Sequence, residues 1–261
     1  MGVGWLLVFA VILAAVFIAV TAIRRRRQPA GAVLIPPPPG TFSIQVTRGI
    51  AMLWALLGTA GTLWAAASAL LSPSVPVHLP VAAFWPEPYP SADVQYPDAT
   101  VVGGSGFTFA DVNVDGLDAA ARVWLALGHL SIGATTVIVA LAVYRVTSHL
   151  LNNEPFRSVL SAPTHLAATA VIVGGLAWQV CFGVAGSLAS NQVLGSHGWG
   201  IDTEKVGAHL DPLDMPVIGW PQSGTNFTID FWPIAAGLAL FAISAAFRHS
   251  ERLQRDTEGL V

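Results

Sequence analysis

The chain has 261 residues, of which 54% are hydrophobic and only 10% are charged, and its formal net charge is −3. Soluble domains carry about 25% charged residues, so this composition excludes an ordinary soluble globular protein and makes lipid part of the solvent. The single cysteine, Cys181, excludes an intrachain disulfide and a cysteine-rich metal cluster.

Five apolar segments reach or approach the roughly 20 residues that cross a hydrocarbon core. They are residues 5–23, 49–71, 124–146, 164–188 and 229–247. Asp230 and Pro233 make the last segment the weakest, although proline is tolerated in the first turn of a helix. The alternative for the first segment is a cleaved signal peptide, but a signal peptide carries its positive charge before the apolar core. Here four arginines follow it.

The basic residues orient these spans. With the amino terminus outside, ten of the twelve Lys and Arg residues fall on the cytoplasmic side, and only Arg122 and Lys205 fall outside. Trp5, Trp124 and Trp232 each lie at the outer end of a span, as interfacial anchors do. The sequence therefore predicts a multi-pass protein of the bacterial cytoplasmic membrane, with its amino terminus outside and its carboxyl terminus in the cytoplasm.

The predicted fold is membrane all-α, with five transmembrane helices and a small β-containing extracytoplasmic cap. The parts are an N-terminal transmembrane anchor (1–23), a cytoplasmic Pro-rich connector (24–48), a four-span helical bundle (49–247) with outer loops 72–123 and 189–228, and a cytoplasmic tail (248–261). Short β-branched runs broken by Gly and Pro predict strands in the first outer loop. The tail is expected to continue the last span as a polar helix. Small residues in 58–69 and 173–187 predict close helix packing.

The stretch DVNVDG in the first outer loop matches the first six positions of an EF-hand. Its calcium ligands would be Asp111, Asn113 and Asp115. Position 12 is Arg122, however, where an EF-hand needs a bidentate Glu. A strand followed by a turn at Gly116 is therefore the favoured interpretation, with Arg122 at the outer end of the third span.

No catalytic motif is convincing. The run GGSG at 103–106 lacks the lysine of a phosphate loop, and no G-x-S-x-G nucleophile motif is present. His129 and Gln179 are polar groups within spans, but together they make no proton relay. The sequence predicts neither an enzyme nor a cofactor.

Three places resemble the YoaS-like family of bacterial integral membrane proteins, a domain of unknown function. They are the inner loop NNEPF, the run DVNVDGLDAAARVWLALG with Gly116, Leu117 and Arg122, and the ending FRHSERLQRDTEGLV. The resemblance covers roughly residues 45–261. It implies a four-span protein, often accompanied by a small cytoplasmic helix-turn-helix regulator, with no established enzymatic activity. The chain departs from the family in its extra N-terminal span and its long outer loops.

The predicted function is a non-enzymatic sensory or regulatory role exerted through a cytoplasmic partner, such as a small helix-turn-helix protein. The residues expected to bind that partner are Asn153, Pro155 and Phe156 in the inner loop and Arg252, Asp256 and Glu258 in the tail. The alternatives are an accessory structural subunit of a larger membrane complex, and a small-solute transporter or channel. The lipid bilayer is the other partner, direct nucleic-acid binding is not expected, and the oligomeric state is left open.

Overall fold

The structure is a computed structural model that describes residues 41–85, 103–104, 106–151, 161–195, 221–225 and 227–258, with side chains described as far as residue 249. These residues are mostly helical and include one small two-stranded sheet. In chain order the elements are α1 (Thr41–Leu71), β1 (Ser74–Phe84), β2 (Phe107–Asp115), α2 (Ala119–Leu151), α3 (Ser161–Leu194) and α4 (Trp232–Glu258). The predicted first span, 5–23, lies outside the described residues.

All four helices are long and apolar enough to cross a membrane. In each, only 17% to 28% of the most apolar 18-residue stretch is buried within the protein. Large apolar side chains on α1 face outward, with Trp64 78% and Leu71 82% exposed. Exposing so much apolar surface to water is unfavourable by about 25 cal/mol per Å². The four helices therefore belong to a membrane-embedded protein.

The helices extend beyond the predicted spans. Residues 41–48 were assigned to the connector, but they form the first turns of α1. Likewise, α2 begins five residues before the predicted span and α3 ends six residues after it. The length of an apolar run indicates only the part of a helix that lies in the hydrocarbon core. The helix itself continues into the polar residues on either side. The predicted continuation of the last span into the tail is confirmed, because α4 ends at Glu258.

The chain divides into two compact units. The helical unit takes its described residues from Met1–Leu63, Leu130–Leu176 and Phe231–Val261. The hairpin unit takes them from Trp64–His129 and Ala177–Asp230, and so contains both strands.

Small residues bring the helices of the helical unit together. Within the predicted segment 173–187, a side chain at Gly174 of α3 would overlap Thr135 on α2, and one at Gly175 of α3 would overlap Pro233 on α4. Close backbone approach of this kind is the usual packing mode of membrane helices. The predicted use of small residues for packing is confirmed at these contacts.

The hairpin unit is built on the antiparallel pair β1–β2, which runs in register from Ser74↔Asp115 to Pro80↔Phe109. Alternate β1 residues, Val75, Val77 and Leu79, are buried. They join one hydrophobic cluster with alanines of α1, α2 and α3. Because alanine is small, the sheet packs closely against these helices. The strands predicted in residues 72–123 are thus confirmed.

Candidate functional site

The stretch DVNVDG forms the end of β2 and the turn that follows. Asp111, Asn113 and Asp115 occupy alternate, exposed positions of the strand, and Gly116 turns the chain with a φ of 70°. At 3.3–3.4 Å per residue, an extended strand separates the Cα atoms of Asp111 and Asp115 by about 13 Å, whereas an EF-hand wraps its ligands around one ion. Within the described ranges, no group of three or more His, Cys, Asp or Glu residues is arranged to hold a metal.

Asp111 has a partner across the hairpin. The register places it opposite His78, and the His78 Nδ1 to Asp111 Oδ1 distance is 2.6 Å. The His78 ring also stacks on Phe109 at 4.4 Å. Both members of the pair are exposed, so it contributes at most about 1 kcal/mol. It favours one register of the hairpin, and sequence reasoning missed it because the two residues are 33 positions apart.

Arg122, in the first turns of α2, binds backbone carbonyls at the end of α1 and just beyond it, and its Nη1 donates to the Leu70 carbonyl oxygen of α1 at 3.5 Å. Its Nη1 donates to the Ser72 carbonyl oxygen at 2.6 Å and its Nη2 to that of Pro73 at 3.0 Å. Its Nε donates to the Leu117 carbonyl oxygen at 2.8 Å. Carbonyls at a helix C-terminus lack partners within the helix, and a cation there also complements the helix dipole. The sequence predicted a structural role for Arg122 at the start of the third span, which is α2. The structure shows that its side chain binds carbonyl oxygens at the end of α1 as well.

Ser190 attaches α3 to β1. Its fully buried hydroxyl donates to the Pro80 carbonyl oxygen at 2.6 Å and accepts from the Gly224 N–H at 3.2 Å. Beside it, Val81 forms an isolated antiparallel bridge with Ser223. The segment around Ser223 therefore lies along the edge of β1 that faces away from β2.

A groove of about 570 Å³ lies between the hairpin and the last turns of α3. Its apolar lining includes Leu79, Val81, Phe84, Phe107, Phe109, Val112, Val193 and Leu194. Asp115 is the one ionisable residue of this lining among the described residues. Where β1 ends and β2 begins, Trp85 stacks on Phe107 with the ring centroids 5.5 Å apart. Both side chains are about half exposed. Small-molecule sites have this size and this mostly apolar character.

The backbone at the groove is set by Gly106, where a Cβ would overlap the carbonyl of Phe84. Gly106 also has a φ of 71°, a conformation that favours glycine. Sequence reasoning considered Gly106 only as part of the run GGSG, because the carbonyl that it approaches lies on the other strand.

Two polar residues within the spans have partners. Gln179 donates through Nε2 to the Asp230 carbonyl oxygen at 3.1 Å and accepts the Asp230 N–H at 2.6 Å. His129 meets Phe182 edge to face, with the ring centroids 5.1 Å apart. Gln179 thus holds the chain just before α4. This structural role was not expected from the sequence.

The predicted partner site in the inner loop and the tail stays a prediction. Asn153, Pro155 and Phe156 lie outside the described residues. The tail residues Arg252, Asp256 and Glu258 lie on the final turns of α4. Of the three predicted tryptophan anchors, Trp5 lies outside the described residues, Trp124 packs partly buried against the hairpin core, and Trp232 is 57% exposed at the start of α4.

The chain matches no protein-family model, no curated protein and no solved structure. The resemblance to the YoaS-like family therefore rests on its sequence motifs and stays a prediction.

Proposed function

We propose that this chain is a non-enzymatic sensory or regulatory protein of the bacterial cytoplasmic membrane. In this proposal the hairpin unit receives a signal on the outer side, and the end of α4 acts on a cytoplasmic partner. The observation that carries the proposal is the apolar groove of about 570 Å³, held on a hairpin that side chains of α2 and α3 fix in place.

The groove's lining supports binding more than catalysis. General acid–base or nucleophilic chemistry needs a base within hydrogen-bond reach of the reacting group. The described lining offers one carboxylate, Asp115, and one amide, Asn113, among apolar side chains. An apolar ligand or an apolar side chain of a peptide is therefore the class of signal that fits best.

Three continuous helices supply a physical route for the signal. Each of α1, α2 and α3 contributes residues to both the hairpin unit and the helical unit. Helix shifts and rotations are common switching movements. Arg122 and Ser190 tie the hairpin to these helices, so a ligand that displaced the hairpin would act on them directly.

The proposed topology has five spans, with the amino terminus outside. It is supported by the distribution of ten basic residues to one side and two to the other. In a Cys181→Ser background, we expect Ser74→Cys to react in intact cells with a membrane-impermeant maleimide, whereas Ser250→Cys reacts only after lysis. The reverse pattern would overturn the orientation.

The regulatory role is tested by capture of a partner in mild detergent. Full-length protein is expected to recover a cytoplasmic protein, and the triple variant Arg252→Ala, Asp256→Ala, Glu258→Ala is expected to lose it. A control with Gln254→Ala and Thr257→Ala on the same helical turns should retain it. Recovery of no cytoplasmic protein by any of these forms would refute the regulatory proposal.

The second candidate is an accessory subunit of a larger membrane complex. The exposed, stacked pair Trp85 and Phe107 favours it, because aromatic residues are enriched at protein interfaces. A membrane protein that co-purifies in fixed stoichiometry, is unaffected by the tail variants and is lost from Trp85→Ser would support this candidate over the first.

A further inference from the structure

A second cleft lies within the helical unit, between the first turns of α3 and the end of the apolar part of α4. Its volume is about 400 Å³, which falls in the range of ligand sites. Its lining consists of Ser161, Ala162, His165, Leu166, Thr169 and Arg248.

The polar side of this cleft has the chemistry of an anion site. Arg248 and His165 bring basic groups from two helices. Ser161 and Thr169 also line the cleft, but the Thr169 hydroxyl donates to the His165 carbonyl oxygen at 3.0 Å, so the donors toward an anion are the two basic side chains. No carboxylate lines the cleft among the described residues. A guanidinium presents paired N–H donors that match the oxygens of a phosphate group. The His165 ring is held edge-on against Phe241, with the centroids 4.8 Å apart.

The two helices that form the cleft are joined beside it. The Ser244 hydroxyl, which is fully buried, donates to the Ser161 carbonyl oxygen at 3.0 Å. This bond fixes the start of α3 against α4 one turn before Arg248. The cleft is therefore built by two helices that this bond joins, with His165 on one and Arg248 on the other.

The cleft also lies where the chain passes from lipid to water. The apolar run of α4 ends at Phe247, and Arg248 is the first charged residue after it. Ser161 is the first residue of α3. On the apolar side, Ala162 and Leu166 line the cleft, and Leu166 is 53% exposed. Basic pockets between helices at this depth suit anionic lipid head groups, since the phosphate meets the cations and the alkyl chains stay in the hydrocarbon.

We propose that this cleft binds the phosphate of an anionic phospholipid, whose head group as a whole carries net negative charge. The inference rests on the membrane-embedded helices and is independent of the groove in the hairpin unit. If no cytoplasmic partner is captured, the lipid-binding proposal is unaffected. If the cleft binds no phosphate, the regulatory proposal is unaffected.

The test is the thermal stability of the full-length protein in detergent, titrated with short-chain phosphatidylglycerol, short-chain phosphatidylcholine or inorganic phosphate. We expect phosphatidylglycerol to raise the Tm of wild type and phosphatidylcholine to leave it unchanged. Arg248→Gln should weaken the phosphatidylglycerol effect at least tenfold in half-saturating concentration. His165→Gln should weaken it less, because the arginine supplies the paired donors.

Arg145→Gln is the matched control, since Arg145 is also exposed near the end of an apolar helix but does not line the cleft. A general surface-charge effect amounts to about a fivefold change per arginine, so Arg145→Gln should stay within that limit. Equal stabilisation by inorganic phosphate would support the phosphate site and identify the free anion as its source. Absence of any effect of phosphatidylglycerol and phosphate, or equal losses in the two arginine variants, would overturn the proposal.

Discussion

Replacing Arg122 by methionine keeps an unbranched apolar stem and removes the guanidinium donors. Two of its hydrogen bonds, to the carbonyl oxygens of Ser72 and Leu117, are partly buried. Hydrogen bonds to a charged group contribute about 1.5–3 kcal/mol each. Taking the lower figure for both gives a loss of about 3 kcal/mol. Since 1.4 kcal/mol is a factor of ten, the released hairpin should become roughly 100-fold more populated.

Hydrogen exchange followed by mass spectrometry measures this population in the full-length protein. Peptides from β1 and β2 should exchange roughly 100-fold faster in Arg122→Met than in wild type, because exchange tracks local opening. Peptides from residues 161–176 in the helical unit serve as the internal reference and should be unchanged. Arg122→Lys keeps the positive charge but lacks the planar guanidinium with its paired N–H donors. Its hairpin exchange rate should therefore lie between those of wild type and Arg122→Met.

The reasoning would be refuted by hairpin exchange in Arg122→Met that equals wild type. That result would mean that water replaces the arginine at these carbonyls without loss. A uniform increase in exchange across the whole chain would also contradict it, since the bonds of Arg122 join only the end of α1, the start of α2 and the residues before β1.

Three further outcomes are expected. Gly106→Ala should lower the Tm, with a cost of at least about 1–2 kcal/mol for the left-handed backbone alone, whereas Gly103→Ala, which meets nothing within 4 Å, should leave it unchanged. Calcium should shift the Tm of neither wild type nor Asp111→Ala. A shift in wild type that is missing in Asp111→Ala would show that calcium binds at Asp111. Gln179→Leu should cost about 1–3 kcal/mol and speed amide exchange at Asp230; unchanged exchange there would show that the pairing is dispensable.

For the calcium-like motif DVNVDG, the local sequence was enough to predict the strand and the turn. Arg122 at position 12 argued against an EF-hand, and the alternation in DVNVDG favoured a strand ending in a turn at Gly116. The structure has that strand and that turn. The pairing of Asp111 with His78 was not predictable in the same way, because it depends on the register of two strands separated by more than twenty residues.

The sequence by itself determined the four apolar helices, the strands and the polar continuation of α4, because hydrophobicity and turn residues act within one element. Only the tertiary structure decided which partners the buried and interfacial polar groups find. Arg122 reaches carbonyls 49 and 50 residues away, Gln179 pairs with backbone 51 residues away, and Ser190 bonds a carbonyl 110 residues away. A polar group removed from water needs some partner. The sequence shows which residues are polar and therefore need a hydrogen-bond partner. Which group becomes that partner depends on how the helices and the hairpin pack.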